Sequence, residues 1–477
     1  MTTDGERPSA AREWALIAGL NLAAHPLGIL IVVGVLGAAA YFDAWGFLAA
    51  PLALGAFGAL GRLTADQHLP GRGILPDDEP QLAALVRDVA ERLELRVPIL
   101  VRVIPTPDAV LAPTKVAGVR VLVLLLGLPL LRRLTVAQLA AVVAHELAHE
   151  PHLERRTSWL GRARAALVES LDRRIHVPAA LAGPLLRATQ QQSWQLETSA
   201  DLVAANVAGT AATRGALEQI ASLDVVFSNL GELWALTLAE AGEYPDDLFD
   251  AIETALADPF VARQAAADRI LETPDPFALE SHPPLLIRLA AVPERSRGPW
   301  DPTAPIRLRD AEVLDRWCVR ELLLPKDSAD EQLRPVRVLD CAPERFGASA
   351  DEAFEALRTA TGRPSRQEAL AAALDAIADG GWARLAQAIE PEIGSAPRAL
   401  RAAASREVFV GCLGRAVSGR LLDAGWVRAS RWLTQVVVDP DGVQVDAREL
   451  ISSAIDGADP TRLRSLLALP IEPRTTT

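Results

Sequence analysis

The chain has 477 residues, half of them apolar, and a net charge of −13. This length allows about two to four structural units, and the apolar content is enough for buried cores. The negative charge argues against general nucleic-acid binding, because phosphate backbones are bound by clustered Lys and Arg. Three widely spaced cysteines form no CxxC pair. We therefore expect each cysteine to be a small, buried, apolar side chain, without a disulfide framework. They are Cys318, Cys341 and Cys412.

A polar tail at residues 1–12 precedes an almost uncharged stretch at 13–62, with Asp43 near its middle. Two apolar runs, about 22–42 and 45–60, are each near the length that crosses a bilayer. We predict a transmembrane helical hairpin over 13–62. A buried, soluble pair of helices is the alternative, whereas a signal peptide would have a single apolar run and a cleavage site.

Basic residues lie on both sides of this hairpin and are absent from the loop within it. Arg7 and Arg12 precede it, and Arg62 and Arg72 follow it. Because cytoplasmic flanks carry the excess of Lys and Arg, both ends are expected in the cytoplasm. Pro and Gly residues indicate a linker at 63–76.

Alternating helix and strand patterns follow the linker. Asp77 or Asp78 is expected to cap a helix opened by Pro80. Strands are predicted at 99–104 and at about 119–125, where β-branched and aliphatic residues dominate. A short sheet packed against the next helix is the expected arrangement.

The sequence VVAHELAHE contains the main chemical motif of the chain. His145 and His149 are four residues apart, so one helix face presents both imidazoles to a single metal ion. Glu146 lies beside them, where it can take a proton from a metal-bound water. This HExxH pattern is typical of zinc metalloproteases.

The limits of the motif helix are also visible in the sequence. Thr135 and Gln138 have the spacing of a capping box and mark its start. Pro151 cannot continue a helix, so the helix should end or kink just after His149.

A catalytic zinc requires a third protein ligand, and the segment around Glu197 offers one. Glu197 and Asp201 are four residues apart in a predicted helix, which allows Glu197 to bind the metal and Asp201 to hold a ligand histidine. A pair at this spacing is often only a solvated helix face. After an HExxH motif the metal interpretation is favoured.

The remaining chain is predicted to be mainly helical. Residues 205–280 form a helical insert, either a lid over the cleft or a packing subdomain. Residues 296–340 indicate a linker with a short helix, and 341–477 a mainly helical C-terminal domain containing a hairpin at 434–446. No metal or nucleophile pattern occurs in 341–477, and the sequence identifies no partner for it.

Three ordered motifs, HELAH, ETSAD and SHPPLLIRL at 281–289, resemble those of the membrane zinc endopeptidases of the HtpX and CAAX prenyl-protease type. The resemblance implies a gluzincin-like zinc metallopeptidase domain at 77–295. It implies that His145, His149 and Glu197 bind one Zn²⁺ and that Glu146 is the base.

The resemblance also implies roles for residues around this centre. His282 would contact the substrate or the tetrahedral intermediate, and Arg288 would pair with acidic groups near the site. The family often has an Asn-Ala-Phe-Ala-like segment on its substrate-binding edge strand. The counterpart here is Asp108–Ala112, so the predicted substrate edge consists of Ala109, Val110 and Leu111. Further membrane helices, which many members have after HExxH, are not indicated, so general proteolysis is favoured over prenyl-protein processing.

The sequence therefore predicts a mainly α protein with a small β-sheet, of the α+β class. We expect a zinc endopeptidase anchored in the cell (inner) membrane, with its catalytic domain facing the cytoplasm. Its role would be membrane-associated protein quality control or processing. Expected partners are protein or peptide substrates and the lipid bilayer, without nucleic acid. The alternative is an inactive membrane-tethered scaffold whose C-terminal domain binds a partner.

Overall fold

The computed structural model describes most of the chain from residue 69 onward and a short N-terminal helix. The described residues are 10–24, 41, 69–152, 156–171, 179–268, 282–294, 297–323, 333–346, 350–395 and 398–468.

The chain forms two compact units, each built from two stretches of sequence. The first comprises Met1–Ala221 and Glu272–Leu314, and the second Ser222–Leu271 and Asp315–Thr477. This division differs from the boundary predicted after residue 295. Part of the insert expected within the peptidase domain groups with the C-terminal region instead.

Helix α1, Ala10–Ala24, is the described part of the apolar N-terminus. Its residues Ile17 and Leu20 are buried against α5 (Arg156–Leu171) and α6 (Ala179–Ala208). Among the described residues, no helix is both long and apolar enough to cross a membrane. The hairpin predicted at 13–62 lies outside the described residues, apart from 13–24 and Tyr41.

A four-stranded sheet lies in the first unit, in the order β1-β2-β4-β3. Strands β2 and β4 are parallel, and the other pairs are antiparallel. The strands are β1 Arg72–Gly73, β2 Ile99–Ile104, β3 Ala109–Val116 and β4 Val119–Gly127. The two predicted strands are present, and the predicted substrate edge lies in β3, which continues through Pro113 to Val116. Proline is tolerated there because β3 is an edge strand.

Helix α2, Pro80–Arg92, packs its apolar residues into this unit. Neither Asp77 nor Asp78 caps it, because Glu79 occupies the N-cap position. The buried Glu79 carboxylate accepts hydrogen bonds from the backbone N–H groups of Arg309 and Asp310, at 2.9–3.1 Å. The first part of the predicted linker at 296–340 is therefore tied to this unit.

The motif helix is α4, Val136–Ala148, and it follows α3, Leu128–Arg133. The capping box formed by Thr135 and Gln138 is present in full, as predicted. The α-helix ends before Pro151, which lies in a 3₁₀ turn at Glu150–His152. The local sequence thus fixes both ends of the helix that carries the two histidines.

Two further helices position side chains beside α4. The long helix α6 packs against it, and α11, Leu285–Ala291, packs against α6. Helix α7, Thr210–Val226, follows α6 along the chain.

The second unit is mainly helical, with two small sheets and a π-helical turn at Phe227–Gly231. Its helices are α8 Glu232–Glu240, α9 Leu248–Ala257, α10 Pro259–Asp268, α12 Ala311–Leu323 (which begins in the first unit), α13 Ala350–Thr361, α14 Arg366–Ala378, α15 Trp382–Ile389, α16 Arg398–Asp423, α17 Ala447–Gly457 and α18 Thr461–Leu467. Its strands are β5 Glu243–Pro245, β6 Arg334–Val336, β7 Val427–Arg428, β8 Val436–Val438 and β9 Gln444–Asp446.

The core of this unit is formed by apolar residues of α13–α18, including Phe354, Phe409 and Leu413. The predicted hairpin is β8–β9, and β7 adds a third strand to it. Cys318 and Cys412 are buried and Cys341 is half-buried, and no disulfide joins any two of them.

Candidate metal centre

Helices α4 and α6 bring three metal-binding side chains together. The Nε2 atoms of His145 and His149 are 3.4 Å apart. Glu197 of α6 approaches both, with Oε2 at 3.3 Å from His145 Nε2 and Oε1 at 3.5 Å from His149 Nε2. The histidine spacing of one helical turn and the packing of α6 on α4 produce this convergence.

These separations fit a tetrahedral zinc ion. Bonds of about 2.0–2.1 Å at tetrahedral angles place neighbouring donor atoms about 3.3 Å apart. The two imidazole nitrogens, and His145 Nε2 with Glu197 Oε2, are within 0.2 Å of this value. The other carboxylate oxygen, Oε1, faces His149 Nε2, and one donor atom from each of the three residues lies within 4.8 Å of the other two. Two imidazoles and one carboxylate are also the donor set of a catalytic zinc site with one open position. The residues present therefore fit the metal that the motif implies.

A buried carboxylate and a guanidinium fix the orientation of His145. Asp201, which is 1% exposed, lies with Oδ1 at 2.9 Å from His145 Nδ1. Arg288 of α11 donates to both oxygens of Asp201, from Nε at 2.9 Å and from Nη2 at 2.7 Å. A His145 Nδ1–H that donates to Asp201 leaves Nε2 free to bind a metal.

The charges in this centre shift several pKa values. Burial lowers the pKa of His145, but hydrogen bonds to Asp201 and Glu197 outweigh burial and raise the pKa to about 9. Burial would raise the pKa of Glu197, but hydrogen bonds from His145 and His282 hold that pKa well below its usual range. His145 must lose a proton before Nε2 can bind a metal, so metal binding should be pH-dependent.

Glu146 lies between the two histidines in sequence and reaches the edge strand β3. Its carboxylate accepts a hydrogen bond from the backbone N–H of Leu111. Exclusion of water raises the pKa of Glu146 to about 7, although the charge of His145 lowers it. A carboxylate with a pKa near neutrality can take up and release a proton in one catalytic cycle.

His282 lies at the solvent side of the centre. Its Nδ1 is 2.7 Å from Glu197 Oε2, and its side chain is 56% exposed. The structure thus places it against the third predicted ligand. Arg288, predicted to pair with acidic groups, contacts Asp201 and lies 4.0 Å from Glu197.

The predicted substrate edge, Ala109 to Leu111, lies in β3 at the outer edge of the sheet. One supporting contact was missed by the sequence analysis. Arg120 of β4 pairs with Glu150 after α4, with Nη2 and Oε1 2.9 Å apart. This pair ties the β3–β4 hairpin to the end of the motif helix. Thirty residues of sequence separate the two, and no periodic pattern connects them.

The site has the arrangement expected of a metallopeptidase. Two histidines and a glutamate surround one point, and a second glutamate lies beside the edge of a strand. Residues 76–296 match the model of peptidase family M48. The match confirms the resemblance to zinc metallopeptidases of the HtpX and CAAX protease type. Searches of curated proteins and of solved structures gave no match.

Proposed function

We propose that this protein is a zinc-dependent endopeptidase. The observation that carries the proposal is the convergence of His145, His149 and Glu197, which each offer one ligand atom within 4.8 Å of the others. Two imidazoles and one carboxylate are the donor set of a catalytic zinc site. The match of residues 76–296 to family M48 supports peptide bonds as the substrate class. The open edge of β3 beside Glu146 suits an extended peptide segment, which favours endopeptidase activity.

Each residue of the centre has a role in the proposed hydrolysis. His145, His149 and Glu197 would hold the zinc ion, which supplies Lewis-acid polarisation of the scissile carbonyl and a more acidic water. Glu146 takes the proton of the attacking water and delivers it to the leaving amine. His282, exposed beside Glu197, donates a hydrogen bond to the developing oxyanion.

The supporting residues act through these groups. Asp201 holds the His145 ring in the orientation that points Nε2 inward, and Arg288 holds Asp201. The bidentate contact neutralises the buried carboxylate and limits its rotation. Main-chain groups of β3 would align the substrate next to Glu146.

We further propose that the protein is anchored in the cell membrane by the apolar segment 13–62 and faces the cytoplasm. Two long, nearly uncharged runs and the basic flanks of the segment support this location. A protease held there would act on membrane-associated proteins, in quality control or processing.

The test compares wild-type protein with Glu146→Gln and with Glu169→Gln as a matched control on the exposed face of α5. We expect about one equivalent of zinc in all three proteins, and casein cleavage slower by about 10²–10⁴-fold only in Glu146→Gln. Zinc-free wild-type protein that cleaves no peptide would contradict the proposal. It would instead favour the inactive scaffold.

The Glu146→Gln variant can also be used to identify the physiological substrate. Glu146→Gln retains the zinc ligands and the substrate edge, so it should retain bound substrate in cells. Membrane proteins enriched on Glu146→Gln over wild-type protein identify candidate substrates. Cleavage of those candidates by purified wild-type protein checks them.

A further inference from the structure

The hydrogen-bonding pattern of β3 alternates, and its phase can be assigned. Gly127 N–H donates to the carbonyl of Asp108 at 2.7 Å, and Ala109 is opposite Leu126 in the antiparallel register. Residues 108, 110 and 112 therefore direct their main-chain groups toward β4. Residues 109, 111 and 113 direct theirs toward the outer edge.

The Leu111–Glu146 contact agrees with this phase. Leu111 faces the outer edge in this register, and its N–H donates to the Glu146 carboxylate. Leu111 therefore marks the point along the outer edge that is next to the proposed base. Within the described part of the chain, no strand pairs with this edge.

Proline occupies the next outward-facing position. Pro113 has a carbonyl but no N–H, so the outer edge loses a donor two residues beyond Leu111. At about 3.4 Å per residue, the gap lies about 7 Å from the residue that contacts the base. The pyrrolidine ring also occupies the space into which a partner carbonyl would point. A strand paired at Ala109 and at the carbonyl of Leu111 would lose its alignment there.

We propose that Pro113 limits the length of substrate that pairs with β3. This inference rests on the proposed endopeptidase function. A substrate pairs as an extended strand with both main-chain groups of Ala109 and with the carbonyl of Leu111, whose N–H is held by Glu146. It leaves the edge at the residue facing Pro113. Main-chain bonds beyond that residue contribute nothing to recognition. The site therefore suits short extended segments, including those that bend or end shortly after the cleaved bond on that side.

A competing explanation is that Pro113 only protects the edge from aggregation, as proline on an edge strand often does. The two explanations differ in kinetics. A protective proline changes aggregation and leaves the dependence on peptide length unchanged. A length-limiting proline changes that dependence at one end of the substrate only.

The experiment measures kcat/KM for peptides lengthened one residue at a time, separately at each end. It uses the full zinc-loaded chain as wild type, Pro113→Ala and Pro113→Ser, with Pro105→Ala as the matched control outside the strand. For wild type and Pro105→Ala, kcat/KM should stop rising at one end when the peptide reaches Pro113. In both Pro113 variants the next residue should raise kcat/KM about twofold to tenfold, the effect of one net hydrogen bond. The change should appear mainly in KM.

A second peptide tests the bond itself. It has a methylene group in place of the carbonyl that would face position 113. This change should abolish the gain in the Pro113 variants and leave wild type unaffected. Equal length profiles in wild type and both Pro113 variants, with wild type active, would overturn this inference alone. Wild type without zinc and without cleavage would overturn the proposed function and this inference together.

Discussion

The metal centre and the helical core of the second unit bury opposite kinds of side chain. Around α4, α6 and α11, His145, Glu197 and Asp201 are each at most 9% exposed and contact one another or Arg288. The core formed by α13–α18 is apolar. Its ion pairs, such as Arg406 with Asp456, lie on the surface.

This difference suggests that the metal centre serves catalysis and that the apolar core serves stability. Burying a charge costs several kcal/mol unless partners compensate it, so an apolar core is the simpler way to hold helices together. A buried cluster whose charges balance and whose free donor atoms converge is instead a candidate for function. Substitutions in the metal centre should therefore change zinc affinity and activity, whereas substitutions in the apolar core should change the free energy of unfolding.

The largest effect on stability is expected from Leu413→Ala in α16. Leu413 is fully buried, and its truncation should lower the free energy of unfolding of the second unit by about 2–5 kcal/mol. Guanidinium titration followed by circular dichroism measures this change. The matched control is Leu236→Ala in the same unit, where the side chain is 63% exposed and the effect should be small. Equal losses in the two variants, or loss of zinc from Leu413→Ala, would contradict the comparison.

The sequence predicted those parts of both regions that depend on local patterns. The capping box at Thr135 and the stop at Pro151 set the ends of α4. The side chain of Asp446 caps α17 through the N–H groups of Arg448 and Glu449, which is another contact within three residues of sequence. The i, i+4 spacing of the motif residues was sufficient to indicate that they share a helix face.

Contacts between residues far apart in the sequence could not be predicted from local patterns. The contacts of Glu79 with Arg309 and of Arg120 with Glu150 join distant segments without a periodic signal. The unit boundary differed because residues 222–271 pack with residues far along the chain. The 2.7 Å contact of His282 with Glu197 depends on how α11 packs on α6. The sequence motif predicted that His282 lies near the metal centre, but it did not predict that His282 contacts Glu197.

An intermediate effect is expected from Asp201→Asn, which acts on the metal centre. Loss of the carboxylate should weaken zinc binding about 10–100-fold, because His145 loses the partner that orients it. Competition with a chromophoric chelator measures the affinity. Asp88→Asn, at a partly exposed position of α2 that pairs with Arg92, is the matched control and should bind zinc like wild type. Unchanged zinc affinity in Asp201→Asn would remove Asp201 from its proposed supporting role.

The smallest effect is expected from Arg406→Gln, which removes a surface ion pair from the apolar region. Arg406 donates from two nitrogens to Asp456, at 2.7 and 2.8 Å, but Asp456 is 65% exposed. We expect a loss of about 1 kcal/mol or less at pH 7, reduced further by salt.

The pH dependence gives this last prediction its sign. The hydrogen bond from Arg406 lowers the pKa of Asp456 in the folded protein. Stabilisation is therefore complete above the unfolded value of about 3.9 and is lost as pH falls through the lower folded value. The difference between wild type and Arg406→Gln should vanish in acid, as measured by guanidinium titration at several pH values. Arg406 also donates from Nη2 to the Ser452 carbonyl, at 3.2 Å. A difference that persists when Asp456 is protonated would show that Arg406 contributes through this hydrogen bond or through packing, and the surface charge of this region would then matter less than its contacts.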